Sequence, residues 1–444
     1  MDDSPGSARF PPTRLLLLAV DAVPYRVADA AVARGAFADW SAPATVVAPF
    51  PSLTHPAFAA LFAPFGVQPS WGYEVRYFDA TTNAMAGGNP LTYHHQIPPW
   101  GGVIDSGHRG VVGKGANYVT SMKSALAELD SILLDALASD LPAYIGYLGS
   151  TDALMHLYGD DSAVEFLCRL GERCDRARAA HLAERGVALQ IALFSDHGCG
   201  NQTVHYTGDI RPHLRDAGLR VVDRLQGSRD VVAPTFGIVN YLALFLADQD
   251  RAEQVVAALH RHPSVELLAF RSAPDQVEVV GSSGRARLHW TMDRGRRLIS
   301  YQHDGDDVLE LDPVVARLQV DGRFDDRDRA GEDDWLQASA CSRYPDGPAR
   351  LIDALAGDRV RSRATVLASL GPGWSWGWRS AYLGTFVRSG RLKGTHGGLD
   401  RESSLAFLII SGPELRNGSS SDLIRADQAL TGFAPMVRDR DRRR

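Results

Sequence analysis

The sequence predicts an α/β protein in which a mostly parallel central sheet is sandwiched by helices and carries an inserted α+β segment. Residues 15–20 and 191–194 are continuous apolar runs. Such runs are typical of strands buried on both faces, because a strand with one face in water alternates apolar and polar residues. Helical patterns over residues 118–138 and 163–185 separate the strands. Strand–helix alternation favours a parallel sheet that is covered on both faces.

The elements of the first half follow this alternation in order. Residues 1–12 are rich in proline and serine and are predicted to be a disordered lead-in. The predicted elements after them are a strand at 14–20, a helix at 27–40, a strand at 45–47, a helix at 54–62, a loop-rich stretch at 66–115, a helix at 118–138, a strand at 143–148, a helix at 163–185 and a strand at 187–194.

The pattern changes in the second half. Residues 276–280, 286–290 and 298–301 read as short antiparallel strands. We therefore predict an inserted α+β cap domain at 231–344. The main domain is predicted at 13–230 and 345–436, and a disordered basic tail at 437–444.

The composition narrows the classes of function. The net charge of −6 gives no basic field for binding nucleic acid. No apolar run approaches the roughly 20 residues that a membrane helix needs, and the first residues do not resemble a secretory signal. The four cysteines form no CxxC pair, which is typical of reduced thiols. The sequence therefore predicts a cytoplasmic protein.

Acidic and imidazole side chains stand at the ends of the predicted strands. In open α/β sheets, functional residues lie just past the carboxyl ends of strands. Carboxylate oxygens and imidazole nitrogens suit zinc, manganese or iron. Seven candidate ligands are too many for one tetrahedral zinc and fit two metal ions: Asp21, Thr54, Asp152, His156, Asp196, His197 and His396.

Thr54 is the candidate nucleophile. Pro56 belongs in the first turn of a helix, so Thr54 is expected at or just before a helix N-terminus, where the positive end of the helix dipole attracts anions. Two metal ions can hold the attacking and leaving oxygens of a displacement at phosphorus. The alternative is that Thr54 is only an N-cap residue.

In this order and spacing, the motifs resemble the alkaline phosphatase superfamily. They are Asp21, Pro-Ser-x-Thr-x-Pro around Thr54, Asp152-x-x-x-His156, Asp196-His197-Gly and Gly-Thr-His396-Gly-Gly. The chain is most similar to the nucleotide pyrophosphatase/phosphodiesterase branch and the related phosphonoacetate hydrolases. The resemblance covers residues 14–227 and 361–434.

The resemblance implies an alkaline-phosphatase-like fold with two zinc sites, and manganese or iron are the alternative metals. One site would hold Asp21, Thr54, Asp196 and His197, and the other would hold Asp152, His156 and His396. Thr54 would attack a small phosphorylated substrate and form a phospho-threonine.

The implied activity is hydrolysis of phosphodiester or pyrophosphate bonds. A phosphomonoesterase or a phosphonate hydrolase is the alternative within enzymes. An alternative of another class is a non-catalytic, metal-binding interaction protein on the same scaffold.

Four further residues are candidate substrate contacts. Arg76 falls near the position where diesterases of this branch carry a phosphate-binding asparagine, and arginine makes charge-assisted bonds to phosphate. Lys114 lies in a glycine-rich stretch that lacks the Walker A spacing. Trp374 and Trp376 are predicted to stack on a flat leaving group. The alternatives are that they pack the cap onto the main domain or form a subunit interface.

Overall fold

The computed structural model describes residues 13–88, 97–106, 121–206, 209–377, 392–412 and 423–443. Residues 1–12 and Lys114 lie outside these ranges. In the described part, no helix is both long and apolar enough to cross a membrane.

The described strands are, in chain order, β1 (Thr13–Val20), β2 (Ala44–Val47), β3 (Arg76–Asp79), β4 (Ala84–Gly87), β5 (Ala143–Leu148), β6 (Ala188–Ser195), β7 (His205–Tyr206), β8 (Arg220–Val221), β9 (Asp230–Val232), β10 (Tyr241–Leu246), β11 (Val265–Ala273), β12 (Gln276–Val280), β13 (Gly284–Asp293), β14 (Arg296–Gly305), β15 (Ala330–Gly331), β16 (Val366–Leu370), β17 (Trp374–Ser375), β18 (Leu405–Ile410) and β19 (Ile424–Arg425).

The described α-helices are α1 (Tyr25–Ala33), α2 (Thr54–Leu61), α3 (Ser121–Ala138), α4 (Ser150–Tyr158), α5 (Asp160–Arg185), α6 (Arg211–Asp216), α7 (Ala252–Leu259), α8 (Asp312–Val320), α9 (Glu332–Ala338), α10 (Gly347–Ala356), α11 (Arg401–Ser404), α12 (Ala426–Ala429) and α13 (Ala434–Arg443). Short 3-10 helices cover Ala63–Phe65, Pro99–Val103, Gln249–Arg251 and Thr431–Phe433.

The first sheet has the strand order β19-β2-β18-β6-β1-β5. β1 is parallel to both β5 and β6, whereas β18 is antiparallel to both β6 and β2. The predicted α/β class with a mostly parallel central sheet is confirmed. Because β18 runs the opposite way, its first residue lies at the same edge as the last residues of β1, β5 and β6.

The apolar run in β1 is continuous because both faces of this sheet are buried. Residues 16, 18 and 20 point into a core shared with α1, α3 and α5. Residues 15, 17 and 19 point into a second core, to which α2 contributes Phe58 and α13 contributes Val437. Helices therefore cover both faces, as the sequence pattern predicted.

The second sheet has the described order β15-β14-β13-β12-β11-β16-β10-β9-β8 and is antiparallel apart from the β8–β9 pair. Strand β16 lies between β10 and β11. The sheet therefore includes residues 220–221 and 366–370, which lie outside the predicted insertion at 231–344, one range before it and one after it.

The C-terminal segment corrects one prediction. Residues 437–443 were expected in a disordered basic tail, but α13 forms there. Val437 and Arg440, three residues apart on one helix face, are both buried. Arg440 lies 3.0 Å from the Asp105 carboxylate and also donates to the carbonyl of Val103. The charged composition of this segment suggested that it is exposed to solvent. Arg440, however, is buried with Asp105, which is distant in the chain.

Replacing Arg440 with alanine is expected to destabilise the protein by about 3–5 kcal/mol, because it removes one partner of a buried ion pair with Asp105. Urea unfolding measures the change. The matched control is Arg438→Ala, since Arg438 is exposed on the same helix. Equal and small losses in both variants would show that α13 does not contribute to the fold through this ion pair.

Candidate active site

Helix α2 begins at Thr54, with Leu53 as its N-cap residue in an extended conformation. No side chain caps this helix end, so the Thr54 hydroxyl is not used as a cap. It lies 3.4 Å from Oδ1 of Asp21 and 3.3 Å from Nε2 of His197. The geometry therefore favours the predicted role at the site over the N-cap alternative.

The first group of candidate ligands is Asp21, Asp196 and His197, all buried. One ligand atom from each lies within 4.8 Å of the other two. The backbone N–H of Ala22 donates to Oδ1 of Asp196 at 3.1 Å. Among the described residues, Oδ2 of Asp196 is buried without a hydrogen-bond donor, and it faces Nε2 of His197 at 3.3 Å.

The second group is Asp152, His156 and His396. Asp152 and His156 are four residues apart on α4, which puts them on one helix face. Oδ1 of Asp152 lies 3.1 Å from Nε2 of His156 and 3.2 Å from Nε2 of His396. The two groups adjoin, because the rings of His197 and His396 stack with centroids 4.3 Å apart. The structure thus brings all seven predicted ligand residues together.

The histidine tautomers suit metal binding. Nδ1 of His197 lies 2.8 Å from the Gly198 carbonyl, and Nδ1 of His156 lies 2.8 Å from the Gly394 carbonyl. A carbonyl only accepts, so Nδ1 carries the proton in each ring and Nε2 keeps its lone pair. Each lone pair faces a carboxylate oxygen. That arrangement is repulsive without a cation or a proton between them, and it is the usual orientation of metal-binding histidines.

The ionisation of the site points the same way. Burial, together with Asp196 and Asp152, raises the pKa of Asp21 well above its ordinary value. Burial also raises the pKa of Asp196 to about 7, and it lowers the pKa of both His197 and His396 to about 4. Both imidazoles are therefore neutral near pH 7 and do not balance Asp21 and Asp196. In the second group, Asp152 raises the pKa of His156 in spite of burial, and the His156 and His396 rings hold the pKa of Asp152 well below its ordinary value. The residues present thus fit two divalent cations.

A segment beside the second sheet holds His396 in place. The N–H of Asn240 donates to the His396 carbonyl at 2.8 Å, and the Thr395 hydroxyl donates to the Ile238 carbonyl at 2.8 Å. Glu74 fixes both ends of this segment, because it accepts from the Gly237 N–H and from the Tyr241 hydroxyl, at 2.8 and 3.1 Å.

Sequence reasoning missed Glu74, and it also missed Tyr147, whose hydroxyl donates to the Asp21 carboxylate. A tyrosine inside the buried strand β5 was the available signal, because a buried phenol needs a hydrogen-bond partner. For Glu74 no local signal existed, since Gly237 is 163 residues away in the chain.

The predicted substrate contacts are not brought to the site in the same way. Arg76 is half-buried in β3, and no described contact joins its side chain to the ligand residues. Trp376 is buried, packs in the second-sheet core and donates its indole N–H to the Pro234 carbonyl at 3.2 Å. Its predicted stacking role is wrong, because the ring is enclosed by the protein. Trp374 is half-buried beside His205, and its role remains a prediction.

No family model matches the sequence, and no curated protein matches it either. Solved structures do resemble the fold. Human ectonucleotide pyrophosphatase/phosphodiesterase 5 matches with a TM-score of 0.50 and 12% identity, over 96% of this chain and 95% of that one. The chain has the alkaline-phosphatase-like fold. Phosphonoacetate hydrolase from Sinorhizobium meliloti 1021, in complex with phosphonoacetate, matches with a TM-score of 0.49 and 13% identity, over 96% of each chain.

The alkaline-phosphatase-like fold confirms the predicted scaffold. At 12% identity the resemblance establishes a shared fold and not a shared activity.

If the two groups are metal sites, the protein should bind two divalent ions per chain, and His396→Ala should bind one. The variant removes one of the three protein ligands of the second group and leaves the first group intact. Elemental analysis after reconstitution with Zn²⁺ and gel filtration measures the ratio. His289→Ala, at an exposed histidine on β13, is the control and should keep two ions. A wild-type protein with one ion or fewer contradicts the interpretation.

The pKa of Glu74 predicts a pH dependence of stability. Burial raises this pKa to about 7 in the folded protein, from an ordinary value of 4.5. Between these two values the folded state holds a proton that the unfolded state has lost, so stability falls as pH rises through that window. The loss is at most about 3 kcal/mol, and less because the side chain is only half-buried.

Glu74→Gln should reduce this slope between pH 5 and 8. The remaining slope belongs to other carboxyls whose pKa burial raises into the same range, among them Asp196, Glu266 and Asp346. Urea unfolding of the metal-free protein measures it, which keeps metal binding out of the comparison. Glu172→Gln, at an exposed glutamate on α5, is the control and should follow the wild type. A slope in Glu74→Gln that equals the wild-type slope assigns the titration to the other groups.

Proposed function

We propose that the protein is a hydrolase of phosphate esters that uses two divalent ions, zinc or else manganese or iron, and cleaves phosphodiester or pyrophosphate bonds of a small phosphorylated substrate. One observation carries the proposal. The Thr54 hydroxyl stands at the start of α2, within 3.4 Å of Asp21 and His197, beside a second group formed by Asp152, His156 and His396.

Each of the two groups of residues would hold one ion. Asp21, Asp196, His197 and the Thr54 oxygen would hold one ion, and Asp152, His156 and His396 would hold the other. Bound there, divalent ions supply positive charge that favours the alkoxide form of a hydroxyl and offsets charge on the transferred phosphoryl group. The N-terminus of α2 adds the positive end of the helix dipole beside the phosphoryl oxygens.

The reaction would run in two displacements at Thr54. The Thr54 oxygen attacks phosphorus, an Oγ–P bond forms, and the bond to the leaving oxygen breaks. The leaving oxygen departs on the side of Asp152, His156 and His396 and takes up a proton. Water then attacks phosphorus from that side and gives up a proton, the Oγ–P bond breaks, and the Thr54 oxygen takes up that proton as phosphate or a phosphate monoester leaves.

A phosphomonoesterase or a phosphonate hydrolase is the second candidate. It depends on Arg76 reaching the substrate, since no described contact joins that side chain to the ligand residues. A guanidinium matches two nonbridging oxygens, and a monoester dianion carries more charge than a diester. A cytoplasmic location is also part of the proposal. It is supported by the four cysteines, which are all unpaired.

Replacing Thr54 with alanine should lower turnover by at least about 10³-fold, as expected when a covalent nucleophile is removed. Thr54→Ser keeps a hydroxyl and should retain part of the activity. Turnover is measured on 4-nitrophenyl monoesters, diesters and phosphonate esters with the metal-loaded protein. Mass spectrometry of acid-quenched enzyme should find phospho-threonine at Thr54.

Two results would overturn parts of this proposal. If Thr54→Ala turns over near the wild-type rate, water attacks phosphorus directly and the covalent step is wrong. If the wild type carries two metal ions and hydrolyses none of these esters, the non-catalytic metal-binding alternative replaces the hydrolase.

A further inference from the structure

Arg350, on α10, places a buried guanidinium between two loops of the site. Its Nη2 donates to the Ser52 hydroxyl at 2.9 Å, and its Nη1 donates to the carbonyl of Leu399 at 2.9 Å. Ser52 precedes Thr54 by two residues, and Leu399 follows His396 by three. One side chain from a helix outside the first sheet therefore joins the nucleophile loop to the His396 loop.

The two loops also touch each other directly, so Arg350 completes an existing contact. The Ser52 hydroxyl donates to the Gly398 carbonyl at 3.0 Å, and the Ser52 N–H donates to the Gly397 carbonyl at 3.3 Å. Gly397 has a φ of 113°, and a Cβ there would come within 3.1 Å of the Leu53 side chain. This close approach leaves little freedom for either loop to shift alone.

The environment of Arg350 does not suit a residue that only stabilises the fold. In the described part of the chain, its hydrogen bonds go to neutral oxygens of Ser52, Leu399 and Pro345. Asp346, one turn earlier, pairs directly with Arg425 at 2.7 Å, and its charge and that of Asp400 reach the Arg350 guanidinium only at longer range. A guanidinium buried without a direct carboxylate partner is costly, and an apolar side chain of similar volume would be cheaper for stability.

We propose that Arg350 is a positioning residue that sets the spacing between Thr54 and His396, and with it the spacing of the two ligand groups. The kinetic part of this inference rests on the proposed hydrolase function. A displacement of about 1 Å between reacting groups costs on the order of 10²-fold in rate. Loss of Arg350 should therefore act mainly on kcat and leave KM nearly unchanged.

The test compares Arg350→Met, which keeps the volume and removes the fork of donors, with Ser52→Ala, which removes the acceptor on the nucleophile loop. The matched control is Arg317→Met, at an exposed arginine on α8. Arg350→Met is expected to keep cooperative unfolding and to lose about 10²-fold in kcat. Ser52→Ala should lose less. Because the two residues act through one bond, the double variant should lose no more than Arg350→Met alone.

Cobalt provides a readout that does not depend on turnover. The visible spectrum of Co²⁺ follows the geometry of its ligands, so the Co²⁺-loaded Arg350→Met and Ser52→Ala proteins should show shifted bands. The control should match the wild type. Metal content should stay at the wild-type ratio in all of them.

Added guanidinium gives a further check. Arg350 lines a cavity of about 40 Å³ together with Phe50 and Pro56. In Arg350→Ala, millimolar guanidinium chloride is expected to restore part of the kcat and of the cobalt spectrum. It should have no such effect on Arg350→Met, in which the side chain fills the space.

The outcomes separate this inference from the proposed function. If kcat and the cobalt spectrum of Arg350→Met match those of the Arg317→Met control, Arg350 only fills space and the inference is overturned. If Arg350→Met does not fold, Ser52→Ala decides, and an unshifted spectrum in that variant overturns the inference. If the wild type hydrolyses no ester but both variants shift the spectrum, the positioning role stands and the hydrolase proposal fails. A wild type that binds no cobalt overturns both.

Discussion

The antiparallel direction of β18 is the constraint on which the site depends. Asp21 and Asp196 come at or just after the ends of parallel strands, and Asp152 lies in the first turn of the helix after β5. His396 instead precedes its strand. Because β18 runs the opposite way between β2 and β6, its start lies at the edge where the parallel strands end. With a parallel β18, the start of the strand would lie at the far edge of the sheet, and the connection from His396 to Leu405 would have to run back across it.

This convergence has an electrostatic cost. Asp21 and Asp196 are buried side by side, and their mutual repulsion adds to the cost of removing them from water. His197 and His396 do not compensate, since burial lowers the pKa of each to about 4. The Tyr147 and Thr54 hydroxyls lower the pKa of Asp21, and backbone N–H groups and His396 lower that of Asp196, but by less than burial raises them. An arrangement so unfavourable for the protein alone is understandable as a site kept for cations.

The sequence alone could predict the site residues that are marked by a pattern within a few residues of them. The ligands follow or precede apolar strands, and Asp152 and His156 are four residues apart on one helix, so local pattern was enough. The sequence could not predict the roles of Glu74, Arg350 and Arg440, because no local pattern marks them. Each acts through a partner 163 or more residues away, at Gly237, Ser52 and Asp105 respectively.

Burial also explains the predictions that failed. A tryptophan among glycines is equally suited to a cleft and to a core. Trp376 could be assigned to the core only once its indole N–H was seen to bond the Pro234 carbonyl. The basic tail likewise looked solvated until the pairing of Arg440 with Asp105 showed which face of α13 is buried.

The two sheets share the site, and this bears on how the chain is divided. The seven candidate ligands stand at the edge of the first sheet. The residues that hold His396 in place, however, come from the part of the chain that forms the second sheet. Asn240 bonds the His396 backbone immediately before β10, and Arg350 reaches the same loop from α10. Strand β16 returns to the second sheet between β10 and β11, only 26 residues before His396. The second sheet is therefore part of the framework that fixes the ligand geometry. A change in its packing against the first sheet would move His396 relative to Asp152, and so would act on the chemistry without touching a ligand.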